Sequence, residues 1–167
     1  FGGYHKNLIK KIIGKTGVLF QNINVDYTSM IMGLSLANSA LELKKSGIVH
    51  IGANFSNGIN VPVNDVRALE FLNSLENSTK VIKSMMVPGL FSSVHNMVAH
   101  DYINLRKRYN LDFTFNKVSW AAYIHQDISD HHELPGRVWS SQAVKQKQHK
   151  LLEDYVKNKF NEVEKKE

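Results

Sequence analysis

Cysteine is absent from the 167 residues of this sequence. Without thiolates, the chain has no disulfide framework, no thiol nucleophile and no cysteine-bound zinc or iron–sulfur cluster. Long apolar runs are also missing. The most apolar stretch, residues 30–43, is broken by glycine and polar side chains and falls short of the ~18 residues that a membrane-spanning helix requires. We therefore predict a folded protein without membrane insertion.

Acidic residues are fewer than basic ones, with 15 Asp and Glu against 21 Lys and Arg. The resulting net charge of +6 and isoelectric point near 9.4 favour an anionic partner without identifying it. The hydrophobic fraction of 43% and the charged fraction of 22% are ordinary for a folded domain. The chain starts at Phe1 instead of Met, as expected after removal of a targeting segment or for a fragment.

The first half of the chain has the pattern of a parallel α/β unit. Apolar residues at helical spacing predict a helix near residues 8–15 and another over residues 29–45, capped by Thr28. Apolar runs at residues 18–25 and 48–53 predict two strands. A further helix begins at Asn64 or Asp65 and presents Val66, Leu69, Leu72 and Leu75 on its apolar face. This order predicts a partial Rossmann-like parallel sheet with a right-handed crossover.

From Pro88 onward the pattern becomes mainly helical. A helix is predicted from Pro88 to Tyr109, with Leu90, Met97 and neighbouring apolar residues facing inward. A long polar helix is predicted to begin after a cap at Ser140 or Ser141. We therefore divide the chain into a partial α/β domain, residues 1–86, and a mainly helical extension, residues 87–167.

Two basic clusters are candidate RNA-binding sites, because Lys and Arg neutralise phosphates and Tyr can stack on an unpaired base. A solvated helix face, or a helix end whose dipole favours cations, explains each cluster equally well. The candidates are Lys6, Lys10, Lys11 and Lys15 in the first cluster, and Arg106, Lys107, Arg108 and Tyr109 in the second.

Histidines and carboxylates suggest chemistry only weakly. Residues 125–132 carry three histidines and two aspartates, but without a known metal-ligand spacing. His95 and His100 lie five residues apart and do not share a helix face. No nucleophile elbow or phosphate loop supports catalysis by Ser92, Ser93, Asp101 or Asp112. We therefore predict no enzyme activity, no metal site and no cofactor.

Several motifs resemble the small-subunit ribosomal protein S2 family. Residues 45–51 are similar to a helix end and the strand that follows it, and residues 54–57 stand where the family has an Asp-Thr-Asn turn. Residues 61–69 resemble the family's Ile-Pro-Gly-Asn-Asp entry into the next helix. Upstream, residues 16–20 resemble a family strand that opens with Pro-Asp-Ala-Leu. Residues 1–3 resemble the glycine pair that begins the segment before that strand. The motif residues with structural roles are Gly47, Pro62, Asn64, Asp65 and Arg67.

The resemblance implies a structural constituent of the small ribosomal subunit, which holds rRNA and neighbouring ribosomal proteins through phosphate contacts and shape. Divergence from the family, such as Thr16 in place of proline, favours an organellar and specifically mitochondrial ribosome. The family's N-terminal half has no counterpart, so a separate chain carrying that half is expected to complete the sheet. Two alternatives remain: an RNA-free accessory subunit of another large mitochondrial complex, and a small enzyme built on the histidine cluster.

Overall fold

The computed structural model of the chain describes residues 4–20, 23–40, 64–129 and 138–164. Over these residues the chain forms seven α-helices and no β-strand. A single isolated parallel bridge joins Asn64 to Val138. The helices are α1 (Lys6–Thr16), α2 (Val25–Leu36), α3 (Asp65–Asn73), α4 (Ser78–Ser84), α5 (Val94–Tyr109), α6 (Lys117–Ile128) and α7 (Gln142–Glu164).

The predicted Rossmann-like parallel sheet is wrong for the described residues. At its described positions, the predicted strand over residues 18–25 is a non-helical segment leading into α2, which already begins at Val25. A short apolar run is weak evidence for a strand, and before Val25 the described positions of this run form neither strand nor helix. The hydroxyl of Thr28, predicted as a cap, instead lies inside α2 and donates to the backbone oxygen of Asn24 at 2.7 Å. The second predicted strand, residues 48–53, lies outside the described residues.

By contact density the chain divides into two compact units. Unit 1 comprises Phe1–Gly52 and Asp101–Phe115, and unit 2 comprises Ala53–His100 and Asn116–Glu167. Helix α5 therefore supplies its first turns, up to His100, to unit 2 and its remaining turns to unit 1.

Unit 1 is held together by apolar side chains from α1, α2 and the end of α5. Helix α1 ends at Gly17, whose φ of 78° is left-handed and whose N–H donates to the oxygen of Ile13 at 2.7 Å. Burying these side chains removes apolar surface from water, which is the main favourable term for a unit of this size. The buried core residues are Ile12, Met32, Leu36, Leu105 and Leu111.

Unit 2 has a separate core between α6, α7 and the loop that precedes α5. Two buried amide side chains hold that loop. Asn96 donates to the oxygen of Leu90 at 2.7 Å, and Gln148 accepts from the backbone N–H of Phe91 at 3.1 Å. Such bonds replace the hydrogen bonds to water that the backbone of the loop loses when it is buried. The core residues are Val87, Leu90, Ile124, Ile128 and Leu152.

Two helix starts agree with the capping residues that the sequence offered. Asn64 caps α3 by accepting from the N–H of Arg67 at 3.1 Å, and Ser141 caps α7 by accepting from the N–H of Val144 at 3.2 Å. The predicted helix start at Pro88 is wrong, because α5 begins at Val94.

The apolar face predicted for α3 is also largely wrong. Ala68 and Leu72 are fully buried, whereas Val66 and Leu69 are 45% and 37% exposed.

Candidate nucleic-acid interface

The lysines of α1 lie along a helix that buries few side chains besides Ile12. Lys6, Lys10 and Lys15 are exposed. Lys11 differs, because its ammonium donates to the backbone oxygen of Leu36 at 2.6 Å, at the carboxyl end of α2. A cation there satisfies an orphan carbonyl and complements the helix dipole. Lys11 therefore has a structural role, and the other three lysines remain candidates for phosphate contact.

The second basic cluster lies on the last turn of α5, where Arg106, Lys107 and Arg108 are all exposed. Asn110 ends the helix with a left-handed φ of 48°. The N–H of Leu111 then donates to the oxygen of Arg106 at 3.3 Å, which is the bond that closes many helix ends. This turn directs Leu111 into the core and leaves the three cations in water.

Tyr109 joins the two clusters, which the sequence did not place together. Its hydroxyl donates to the backbone oxygen of Thr16 at 3.1 Å, so the carboxyl ends of α1 and α5 meet. Lys15 and Arg108 are the sequence neighbours of these two residues. Both clusters belong to unit 1. We call Lys6, Lys10, Lys15, Arg106, Lys107 and Arg108 the basic cluster of unit 1.

Tyr109 itself is half-buried and packs against the core of unit 1. The guanidinium carbon of Arg108 lies 5.3 Å from the centre of its ring, within cation–π range. With its hydroxyl bonded to Thr16 and its ring covered in part by Arg108, Tyr109 positions the cations around it. It is less suited to stacking on a base than the sequence suggested.

Positive charge is unevenly distributed between the two units. The described residues of unit 1 carry seven Lys and Arg against three Asp and Glu. Those of unit 2 carry nine against eight, which is close to neutral. The excess positive charge of the described chain is therefore concentrated in unit 1.

Two of the S2-like motif residues within the described chain, Asn64 and Asp65, make side-chain hydrogen bonds that hold the local structure. Asn64 caps α3. Asp65 is 3% exposed and accepts from both the backbone N–H and the hydroxyl of Ser140, at 2.9 and 2.6 Å. These bonds fix the segment that enters α7. Arg67 is exposed on α3. Gly47 and Pro62 lie outside the described residues.

The histidine-rich segment shows no metal site within its described part, residues 125–129, and no group of three potential ligands occurs elsewhere among the described residues. Asp127 instead points to the start of α5. It accepts from the hydroxyl of Ser93 at 2.6 Å and contacts Nδ1 of His95 at 2.8 Å. A nucleophilic triad needs the serine on the imidazole, whereas here serine and histidine both bind the carboxylate.

Sequence reasoning missed an aromatic cluster in unit 2. His95 lies against Tyr123, with ring centres 5.2 Å apart and planes inclined by 16°, and Trp120 contacts both rings at their edges. Trp120, Tyr123 and Asp127 are spaced three and four residues apart on α6, and this spacing could have indicated a shared face.

No family model, curated protein or solved structure matches this chain. Among the helices of the described residues, none combines the length and apolarity needed to cross a bilayer.

Proposed function

We propose that this chain is a structural, RNA-binding constituent of the small subunit of a mitochondrial ribosome. The observation that carries the RNA-binding part is the Tyr109–Thr16 hydrogen bond, which places the carboxyl ends of the two cation-bearing helices of unit 1 together. The ribosomal part rests on the sequence motifs that resemble the S2 family.

The composition of the basic cluster suits phosphate contact. Arginine presents a planar fork of donors that matches two phosphate oxygens, and lysine supplies a mobile point charge. Helix dipoles favour cations at the carboxyl ends of α1 and α5, where Lys15 and residues 106–108 lie. The side chains of these cations are exposed, so their terminal N–H groups are accessible to a phosphate.

The partner of this cluster would be recognised mainly through its backbone. The six exposed cations of the cluster are hydrogen-bond donors only, which suits phosphate oxygens better than the mixed donor and acceptor pattern of base edges. Affinity from phosphate neutralisation is strongly salt-dependent. The proposal therefore predicts binding to rRNA by charge and shape, without catalysis.

Neighbouring ribosomal proteins, including a separate chain with the N-terminal half of S2, belong to the same proposal. The described residues contain no strand, so they offer no open sheet edge to such a chain, and its contacts with them would be to helices and loops.

The first test is sedimentation of a mitochondrial lysate that contains the tagged chain, with and without RNase. We expect co-migration with small-subunit rRNA that is lost after RNase treatment. The Arg106/Lys107/Arg108→Gln variant should move to the light fractions. The matched control Lys80/Lys83/Lys147→Gln removes three exposed cations from unit 2 and should stay with the rRNA.

The second test uses purified chain and a single-stranded RNA of about 20 nucleotides. Neutralising three phosphate-binding cations should reduce the slope of log affinity against log salt by about 2, since each contact contributes ~0.7. An equal effect of the control variant would show that binding is not localised in unit 1.

In the sedimentation test, migration of the chain with a large RNase-resistant complex would overturn the proposal and favour the RNA-free accessory subunit.

A further inference from the structure

The aromatic cluster of unit 2 is partly exposed although its rings contact one another. Tyr123 is 50% exposed, the side chain of His95 is 35% exposed, and Trp120 is half-buried. His95 stacks on one face of the Tyr123 ring, and half of the Tyr123 surface is still exposed to water.

The imidazole beside that surface is held in place. Nδ1 of His95 lies 2.8 Å from Oδ1 of Asp127, and the backbone N–H of His95 donates to Oδ2 of the same carboxylate at 3.0 Å. An ionised carboxylate only accepts hydrogen bonds, so Nδ1 carries the proton. Nε2 is then the acceptor of the neutral ring.

Asp127 is itself fixed, because its side chain is 10% exposed and also accepts from the buried hydroxyl of Ser93 at 2.6 Å. The ring pair is therefore oriented before any ligand arrives. Orienting a binding surface in advance reduces the entropy lost on binding.

We propose that Tyr123 and His95 form a stacking site for one unpaired nucleobase of RNA. This inference rests on the proposed function for its choice of RNA as the partner. Base–aromatic stacking is the usual way in which proteins hold splayed single-stranded bases, and it is worth ~1–3 kcal/mol per base. Nε2 of His95, the acceptor of the neutral ring, would suit a base with an exocyclic amino group.

A cation on the same helix supports this choice of ligand. Lys117 is exposed at the start of α6 and precedes Trp120 by three residues, which places it on the same side of the helix. In the proposal, Lys117 supplies the charge for the phosphate of a nucleotide whose base lies on Tyr123. The site would thus pair an aromatic surface with one cation, as single-strand binding surfaces do.

The direct test is ¹H NMR of adenosine monophosphate, the smallest ligand with the proposed chemistry, in the presence of excess wild-type chain. We expect upfield ring-current shifts of the adenine protons. The shifts should persist with Tyr123→Phe and vanish with Tyr123→Ala. Phe20→Ala is the matched control, because Phe20 is 56% exposed but belongs to unit 1.

The second measurement compares binding of a single-stranded RNA with binding of its duplex. Tyr123→Ala should weaken single-strand affinity about tenfold, which is within the range of one lost stacked base, and leave duplex affinity and the salt slope unchanged. The Arg106/Lys107/Arg108→Gln variant should lower the slope and retain the adenine shifts.

These readouts separate the two proposals. Absent adenine shifts, with a normal salt slope, would overturn the stacking site and leave the basic cluster as the RNA contact. Adenine shifts without salt-dependent RNA binding would overturn the proposed function and retain the nucleobase site. Loss of Tyr123→Ala from the ribosomal fraction, with unchanged RNA affinity and no adenine shifts, would assign this face to a protein neighbour and overturn the inference.

Discussion

Asp127 is bonded twice to one residue, His95: Oδ2 accepts from the backbone N–H at 3.0 Å and Oδ1 contacts Nδ1 of the imidazole at 2.8 Å. This backbone N–H belongs to the first turn of α5, where N–H groups have no carbonyl partner within the helix. A carboxylate is favourable at this positive end of a helix. Asp127 therefore couples α6 to the start of α5 and, at the same time, orients the imidazole.

Replacing Asp127 should destabilise the protein. Asp127→Asn removes the charge and turns an amide N–H₂ toward groups that donate, so we expect the free energy of unfolding to fall by about 2–3 kcal/mol. Urea unfolding followed by circular dichroism measures this change. The control Asp154→Asn affects an exposed i,i+4 pair with Lys150 and should change stability by less than about 0.5 kcal/mol. Equal, small losses for both variants would contradict the proposed role of Asp127.

Replacing Gly14, inside α1, and Gly17, which follows its last residue, with alanine should change the stability of the protein in opposite directions. Gly17 has a φ of 78°, which disfavours any side chain, so Gly17→Ala should destabilise the protein by about 1 kcal/mol. Gly14 lies inside the helix with open space where a Cβ would stand. Gly14→Ala should stabilise the protein by about 0.5–1 kcal/mol, because alanine is the better helix former. Thermal unfolding of both variants tests the pair, and changes of the same sign would be inconsistent with this account of α1.

Lys11 and Lys10 are predicted to have separable roles. Lys11→Met keeps the aliphatic stem but removes the ammonium that donates to Leu36, so stability should fall by about 1 kcal/mol. Its effect on the RNA salt slope should be small. Lys10→Met should leave stability within a few tenths of a kcal/mol and lower the slope by ~0.7. Chemical unfolding and RNA titration on both variants check the prediction, which fails if either variant changes both properties alike.

Alkaline pH should destabilise unit 1 through Tyr102. Burial, followed by the nearby Tyr27 and Asp26, raises the pKa of Tyr102 from 10.0 to about 12. Between pH 10 and 12 the unfolded chain loses this proton while the folded chain keeps it. The free energy of unfolding should therefore fall by about 1.4 kcal/mol per pH unit over this range, and be unaffected by Tyr102 below it.

Absorbance at 295 nm should show a late phenol ionisation near pH 12, missing in Tyr102→Phe. The same variant should have a shallower fall in stability between pH 10 and 12. A late ionisation that persists in Tyr102→Phe would assign the raised pKa to another group.

Local signals in the sequence predicted some helix boundaries but not all. The starts of α3 and α7 lie at candidate caps, Asn64 and Ser141, because a capping oxygen acts within three or four residues. The hydroxyl of Thr28, also predicted as a cap, lies inside α2. The exposure of the α1 lysines agrees with their helical spacing, apart from the structural use of Lys11, and the exposure of residues 106–108 agrees with their position at a helix end.

The parallel sheet was predicted wrongly for a physical reason. Strand and helix compete for short apolar runs, and propensity is a weak guide when tertiary contacts intervene. Asn24, just before α2, is held by Asp101, which accepts from its backbone N–H at 3.1 Å and from its side chain at 2.8 Å. These residues are 77 positions apart, so no local window contains the contact that stabilises the start of the helix.

Composition and local pattern by themselves determined that this is a cysteine-free, basic chain with capped helices and two cation clusters. Only the tertiary structure decided which groups come together. Tyr109 reaches Thr16 across 93 positions, and Asp127 reaches His95 across 32. Side chains so far apart in sequence meet only when burial of the intervening apolar residues offsets the entropy of closing the chain, and that balance is a property of the folded unit.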